Sequence, residues 1–184
     1  GIYSMPNNSY YTYVFDKINA INENIPMYYL RLSFCLTLLS LNLTLNDHNI
    51  NYYISITYLY ISHWIIDDIF DKNKSKMQNK ELLHDVLNRY LNIFDDIDYV
   101  FDFDKIKCMD EILIHKFELS FKTLKISIKI LKNLLTNRCL KLLKQHYEKA
   151  ILIFLKKVDL NIESSISIDY YTENRSLSTG CLPY

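Results

Sequence analysis

The stretch from Asn51 to Phe70 constrains the fold of this chain more than any other part of the sequence. It is about twenty residues long, it contains no Gly or Pro, and it is apolar nearly all round. Its β-favouring residues alternate as they do in a strand, at Ile54, Ile56, Tyr58 and Tyr60. Length decides against a strand, because strands in globular proteins seldom exceed about ten residues. The stretch therefore predicts a helix at the centre of a helical bundle.

Residues that form tight turns are scarce in the whole chain, which has 2 Gly and 3 Pro among 184 residues. A β-sandwich or β-barrel needs many tight reversals, which Gly and Pro usually supply. Few long elements are expected instead. The length, together with a hydrophobic content of 49%, suits one domain with a sizeable core. We predict an all-α fold with one domain over residues 1–184.

Three further segments show helical periodicity. Apolar residues recur every three or four positions in 82–93, 104–135 and 140–158. This period predicts amphipathic helices that pack against other helices. Polar, acidic interruptions predict loops at 95–104 and 161–167.

Charge and cysteine content exclude several classes of partner. Lys and Arg together number 21, as do Asp and Glu, so no net charge attracts nucleic acid or an anionic membrane. The segment from Leu30 to Leu45 is the most apolar near the amino terminus, but Arg31 and Asn42 interrupt it, which predicts a buried helix rather than a membrane span. Scattered cysteines without a CxxC pair indicate a reduced, cytoplasmic protein; they are Cys35, Cys108, Cys139 and Cys181.

Three carboxylates follow the central apolar stretch. Asp67 and Asp71 are four positions apart, and Asp68 and Asp71 are three apart, so a helix places all three on one side. Their charges repel near the negative end of the helix dipole unless a cation binds between them. Magnesium suits such oxygen ligands, especially when it is shared with a phosphate group. The alternative that remains open is the solvated start of a loop.

Two other possible sets of metal ligands have simpler explanations. Asp95, Asp96 and Asp98 have no apolar helix behind them, and we predict that they belong to a solvated loop. His63 lies in the central apolar stretch, where a lone imidazole is more often a core residue than a magnesium ligand.

The pattern W-x-x-D-D-x-x-D, from Trp64 to Asp71, resembles the first metal-binding motif of class I terpene synthases. A second segment, from Tyr170 to Pro183, resembles the Y-x-x-x-R sequence of microbial members and the small-residue helix break that follows it. The two motifs stand in the family's order and bracket most of the chain. Their joint occurrence is more specific than either motif alone.

The resemblance implies a fold, an activity and roles for particular residues. The fold would be part of the isoprenoid-synthase-type helical bundle. The activity would be Mg²⁺-dependent ionisation of a prenyl diphosphate, with farnesyl diphosphate as the expected substrate, followed by cyclisation or elimination to a terpene and release of diphosphate. Asp67, Asp68 and Asp71 would bind metal. The family's diphosphate-sensing arginine falls on Arg175, and its helix-break residues, which act in ionisation, fall on Ser178 and Thr179, although many relatives have Gly at the second of these.

Aromatic residues one and two turns before the acidic motif would line the substrate cavity. Trp64 and Tyr60 present ring faces that stabilise positive charge. An equally good reading makes them ordinary core aromatics. The family's second metal motif, N-D-x-x-S-x-x-x-E, would lie beyond Arg175, and residues 176–184 do not contain it. We therefore expect the chain to be an incomplete domain with little or no activity by itself.

Two other functions remain open at this point. A trans-prenyltransferase shares the fold and the DDxxD chemistry, but resembles the segment from Tyr170 to Pro183 less well. A truncated, catalytically inactive helical remnant is the alternative outside enzymes. No pattern in the sequence fixes an oligomeric state or a product.

Overall fold

The all-α prediction is confirmed. The computed structural model describes residues 9–22, 24–41, 45–72, 80–102 and 111–159, and within these ranges it contains helices and no strand. The six α-helices are α1 (Ser9–Ile21), α2 (Met27–Leu41), α3 (Ile50–Lys72), α4 (Lys80–Tyr90), α5 (Glu111–Leu134) and α6 (Asn137–Asp159), and a 3₁₀ helix, Leu91–Phe94, continues α4.

Helix α3 lies at the centre of the bundle, as its apolar sequence predicts. Every residue from Tyr53 to His63 is buried, so the helix is covered on all sides over about three turns. Its main neighbours are α2 and α5, and it also packs on α6. The Tyr58 hydroxyl adds a contact to α1, donating to the Ile18 carbonyl at 2.8 Å. Burial on all sides therefore overrides the strand-like alternation of this segment.

Hydrogen bonds fix the direction of α2 relative to α3. The Thr57 hydroxyl donates to the Thr37 hydroxyl at 3.1 Å, near the middle of both helices. Tyr29, in the first turn of α2, hydrogen-bonds Asp68, in the last turns of α3. The two helices are therefore antiparallel, and the start of α2 lies at the acidic end of α3.

Four hydroxyl groups meet in the core, one each from α3, α4, α5 and α6. The Ser62 hydroxyl lies 2.6 Å from the Tyr90 hydroxyl, 2.9 Å from that of Tyr147 and 3.3 Å from that of Ser120. Tyr90 and Ser120 are 2.5 Å apart, and Ser120 also donates to the Ser62 carbonyl at 2.8 Å. These polar groups satisfy one another, which is what their burial requires.

Most helix predictions match the structure, with differences at the ends. Helices α4, α5 and α6 occupy the periodic segments, although α5 is described only from Glu111. Helix α2 begins at Met27, three residues before the predicted start, and α1 was not predicted. The predicted loop at 95–104 is non-helical over its described part, 95–102, while the loop predicted at 161–167 lies outside the described residues. In the described part of the chain, no helix is long and apolar enough to cross a membrane.

Candidate functional site

The acidic motif lies inside α3 rather than after it. Asp67, Asp68 and Asp71 all belong to the helix, which ends at Lys72. The side chains of Asp67 and Asp68 are half-buried, and that of Asp71 lies outside the described residues. Asp71 follows Asp67 by one helical turn, so the backbone places the two on the same side of α3.

Two neighbouring helices flank the acidic side of α3. His63 and Phe70 pack on Phe154 of α6, with ring centroids 5.3 and 5.4 Å apart. Asp68 faces the opposite neighbour, α2. Asp67 falls between these two directions, because successive residues turn by about 100° around an α-helix. The motif therefore occupies the side of α3 that lies between α2 and α6.

Tyr29 contacts the motif directly. Its hydroxyl donates to Oδ2 of Asp68 at 2.5 Å in a partly buried setting. Burial raises the pKa of Tyr29 above its ordinary value, and the hydrogen bond to the Asp68 carboxylate raises it further. Sequence analysis missed this residue because 39 positions separate the pair. An antiparallel pairing of α2 with α3 would have been needed to find it.

The predicted substrate aromatics occupy different settings. Tyr60 is buried, with 6% of its surface exposed, and its hydroxyl donates to the Ser40 hydroxyl of α2 at 3.4 Å. Trp64 is half-buried, and its buried indole N–H has no hydrogen-bond partner among the described residues. That the two rings contact a substrate stays a prediction.

His63 is a core residue, as predicted. Only 5% of it is exposed, and its ring packs against aromatic residues on α3 and α6. The centroid distances are 6.2 Å to Trp64, 6.4 Å to Tyr147 and 5.3 Å to Phe154. An imidazole packed among aromatic rings in this way serves the core.

The second acidic group forms an exposed turn, as predicted. Asp95, Asp96 and Asp98 are all exposed. Asp95 pairs with Lys144 at 2.6 Å, and Asp96 accepts a hydrogen bond from the Asp98 backbone N–H at 2.9 Å. These contacts use two of the three carboxylates to hold the turn.

A cleft of about 730 Å³ opens beside this turn, at the start of α6. Its described lining residues come from the 91–95 segment, α5 and α6, and none of them belongs to α3. Its described lining combines three lysines with two acids, two amides and two apolar residues: Phe94, Asp95, Lys132, Asn137, Leu140, Lys141, Lys144, Gln145 and Glu148.

The predicted metal and diphosphate ligands are only partly described. Among the described side chains, no three His, Cys, Asp or Glu residues group closely enough to hold a metal ion. The predicted ligand set includes the side chain of Asp71, which is not among the described side chains. Arg175, Ser178 and Thr179 also lie outside the described residues.

Comparison with known proteins adds no family assignment. No protein-family model, no curated protein and no solved structure matches this chain. The likeness to class I terpene synthases therefore depends on the two sequence motifs, and it stays a prediction.

Proposed function

We propose that this chain carries the first metal-binding motif of a class I terpene synthase, which ionises a prenyl diphosphate, with farnesyl diphosphate as the first candidate. The observation that carries the proposal is the setting of Asp67 and Asp68. Both are half-buried within the last turns of a helix that is buried at every position from Tyr53 to His63. Carboxylates are costly in such a position, so a cation-binding role explains their presence.

The residues present fit Mg²⁺ by their chemistry. Asp67, Asp68 and Asp71 offer carboxylate oxygens, the ligand type that Mg²⁺ prefers, near the negative end of the α3 dipole. A bound Mg²⁺ would neutralise charge on the diphosphate leaving group. Asp67 and Asp71 are the principal ligands in this proposal, and Asp68 assists.

The remaining predicted residues would contact the prenyl chain and the diphosphate group of the substrate. Trp64 and Tyr60 offer aromatic ring faces that stabilise positive charge and exclude water. Arg175 pairs with diphosphate oxygens through its planar guanidinium group, which lysine cannot reproduce. Ser178 and Thr179 correspond in this proposal to the family's helix-break residues, which act in ionisation.

Calorimetric titration of the 184-residue chain with farnesyl diphosphate, with and without Mg²⁺, tests the proposal. We expect binding that requires Mg²⁺ and that is lost in Asp67→Asn, since the substitution removes one ligand charge. The matched control is Asp98→Asn, which changes an exposed carboxylate in the 95–98 turn and should leave binding unchanged. Binding that is independent of Mg²⁺, or equal in Asp67→Asn, would contradict the proposal and favour an inactive helical remnant.

A second variant tests the diphosphate end of the substrate. In Arg175→Lys we expect binding of inorganic diphosphate in the presence of Mg²⁺ to weaken roughly tenfold, because the bidentate contact is lost. Mg²⁺ binding in the absence of diphosphate should not change. Equal diphosphate affinity in both proteins would remove Arg175 from the site.

A further inference from the structure

We propose that Tyr29 is a positioning residue for the metal site, acting through Asp68. The inference rests on the proposed function, because it assumes that the carboxyl end of α3 binds Mg²⁺. It goes beyond the two sequence motifs, because it makes α2 part of the site.

The Tyr29 hydroxyl is held by two packed helices. The backbone N–H of Tyr29 donates to the Pro26 carbonyl at 3.0 Å, which anchors the residue in the first turn of α2. Eight residues further on, the buried bond between Thr37 and Thr57 fixes the register of α2 against α3. The donor is therefore aimed at Asp68 by helix packing rather than by a loop.

This hydrogen bond has two consequences for Asp68. It holds Oδ2 toward α2 at 2.5 Å, so that oxygen already has a protein partner. It also stabilises the negative charge of a half-buried carboxylate that has Asp67 as its neighbour in sequence. Asp68 is thus oriented before a cation arrives, and such orientation by an outer partner strengthens metal binding.

Removing only the hydroxyl isolates this effect. In Tyr29→Phe the ring is retained, but Asp68 loses the hydrogen bond that holds its Oδ2 toward α2. We expect Mg²⁺ affinity to fall roughly tenfold, the lower end of what loss of an outer partner costs at metal sites. Tyr28→Phe is the matched control, because Tyr28 is the adjacent tyrosine, is 63% exposed and should leave the affinity unchanged.

The chain contains a built-in reporter for the measurement. Trp64 is its single tryptophan and lies one helical turn before Asp68. Mg²⁺ is titrated into the 184-residue chain while Trp64 fluorescence and, in parallel, the heat of binding are recorded. Circular dichroism of each variant verifies that the helices are intact.

A double-mutant cycle decides whether Tyr29 acts through Asp68. Tyr29→Phe, Asp68→Asn and the double variant are compared with the unsubstituted chain. We expect the double variant to bind Mg²⁺ no more weakly than Asp68→Asn alone. Additive losses, or an unchanged Mg²⁺ affinity in Tyr29→Phe, would overturn the positioning role. The proposed function would still stand in that case if Mg²⁺ binding depended on Asp67. Failure of the unsubstituted chain to bind Mg²⁺ would overturn both.

Discussion

Ser62 and its hydroxyl partners illustrate how single polar atoms are accommodated in this core. The Tyr90 hydroxyl contacts both Ser62 and Ser120, at 2.6 and 2.5 Å. All three residues are almost completely buried. In Tyr90→Phe the two serines lose this partner inside an apolar core, so we expect the free energy of unfolding to fall by about 1–3 kcal/mol. Urea unfolding followed by circular dichroism measures the change.

A second tyrosine provides the control for that substitution. Both Tyr90 and Tyr99 pack their rings on Phe121, with centroid distances of 5.6 and 6.1 Å. Tyr99 is half-buried and lies outside the four-hydroxyl group. Tyr99→Phe should therefore change the unfolding free energy by less than about 0.5 kcal/mol. Similar losses in the two variants would show that the hydroxyl contacts of Tyr90 contribute little.

Individual residues of the site and the core differ in how well the sequence predicts their roles. Asp67 and Asp68 stand out because carboxylates are rare at the end of an apolar run. Tyr29 gives no such signal, since its role depends on a contact with a helix 39 positions away. Ser62 looks like a small polar interruption until four helices are brought together around it. Long-range contacts of this kind are set by packing, and local periodicity does not encode them.

Helix α3 shows that length and burial decide an element when local propensity is ambiguous. The β-favouring alternation of its first half did not prevent a correct prediction, because about twenty residues without Gly or Pro suit a central helix. Helices α5 and α6 followed from their periodic apolar stripes. Helix α1 also has an apolar stripe, at Val14, Phe15 and Ile18, but it is short and was overlooked.

The central position of α3 predicts a sharp contrast between two leucines. Leu59 of α3 is 2% exposed, whereas Leu39 of α2 is 78% exposed. Leu59→Ala should lower the free energy of unfolding by about 2–5 kcal/mol, through lost burial and the cavity left behind. Leu39→Ala should change it by no more than about 0.5 kcal/mol. Equal effects in urea unfolding would mean that α3 is not the centre of the core.

On the scale of the whole molecule, buried tyrosine hydroxyls link the helices to one another. Tyr58 connects α3 to α1, while Tyr90 and Tyr147 connect α4 and α6 to Ser62 of α3. Burial raises the pKa of Tyr58 and Tyr90 above the ordinary tyrosine value, and it raises the pKa of Tyr147 to about 12. The folded bundle therefore favours the protonated form of these phenols.

Stability should accordingly fall in alkaline solution, with a slope that one substitution can reduce. An unfolded chain releases its tyrosine protons at about pH 10, whereas folded Tyr147 retains its proton up to about pH 12. Between these values the folded state binds more protons, so the free energy of unfolding decreases as pH rises. Tyr147 alone contributes at most about 1.4 kcal/mol per pH unit. Tyr147→Phe removes this contribution, so its urea-unfolding free energy should decline less steeply with pH than that of the parent. At about pH 8 the value should be lower than that of the parent, because the contact between the Tyr147 and Ser62 hydroxyls is lost. Tyr28→Phe, on the exposed start of α2, should keep the parental slope, and an equally steep decline in Tyr147→Phe would show that Tyr147 does not couple proton release to unfolding.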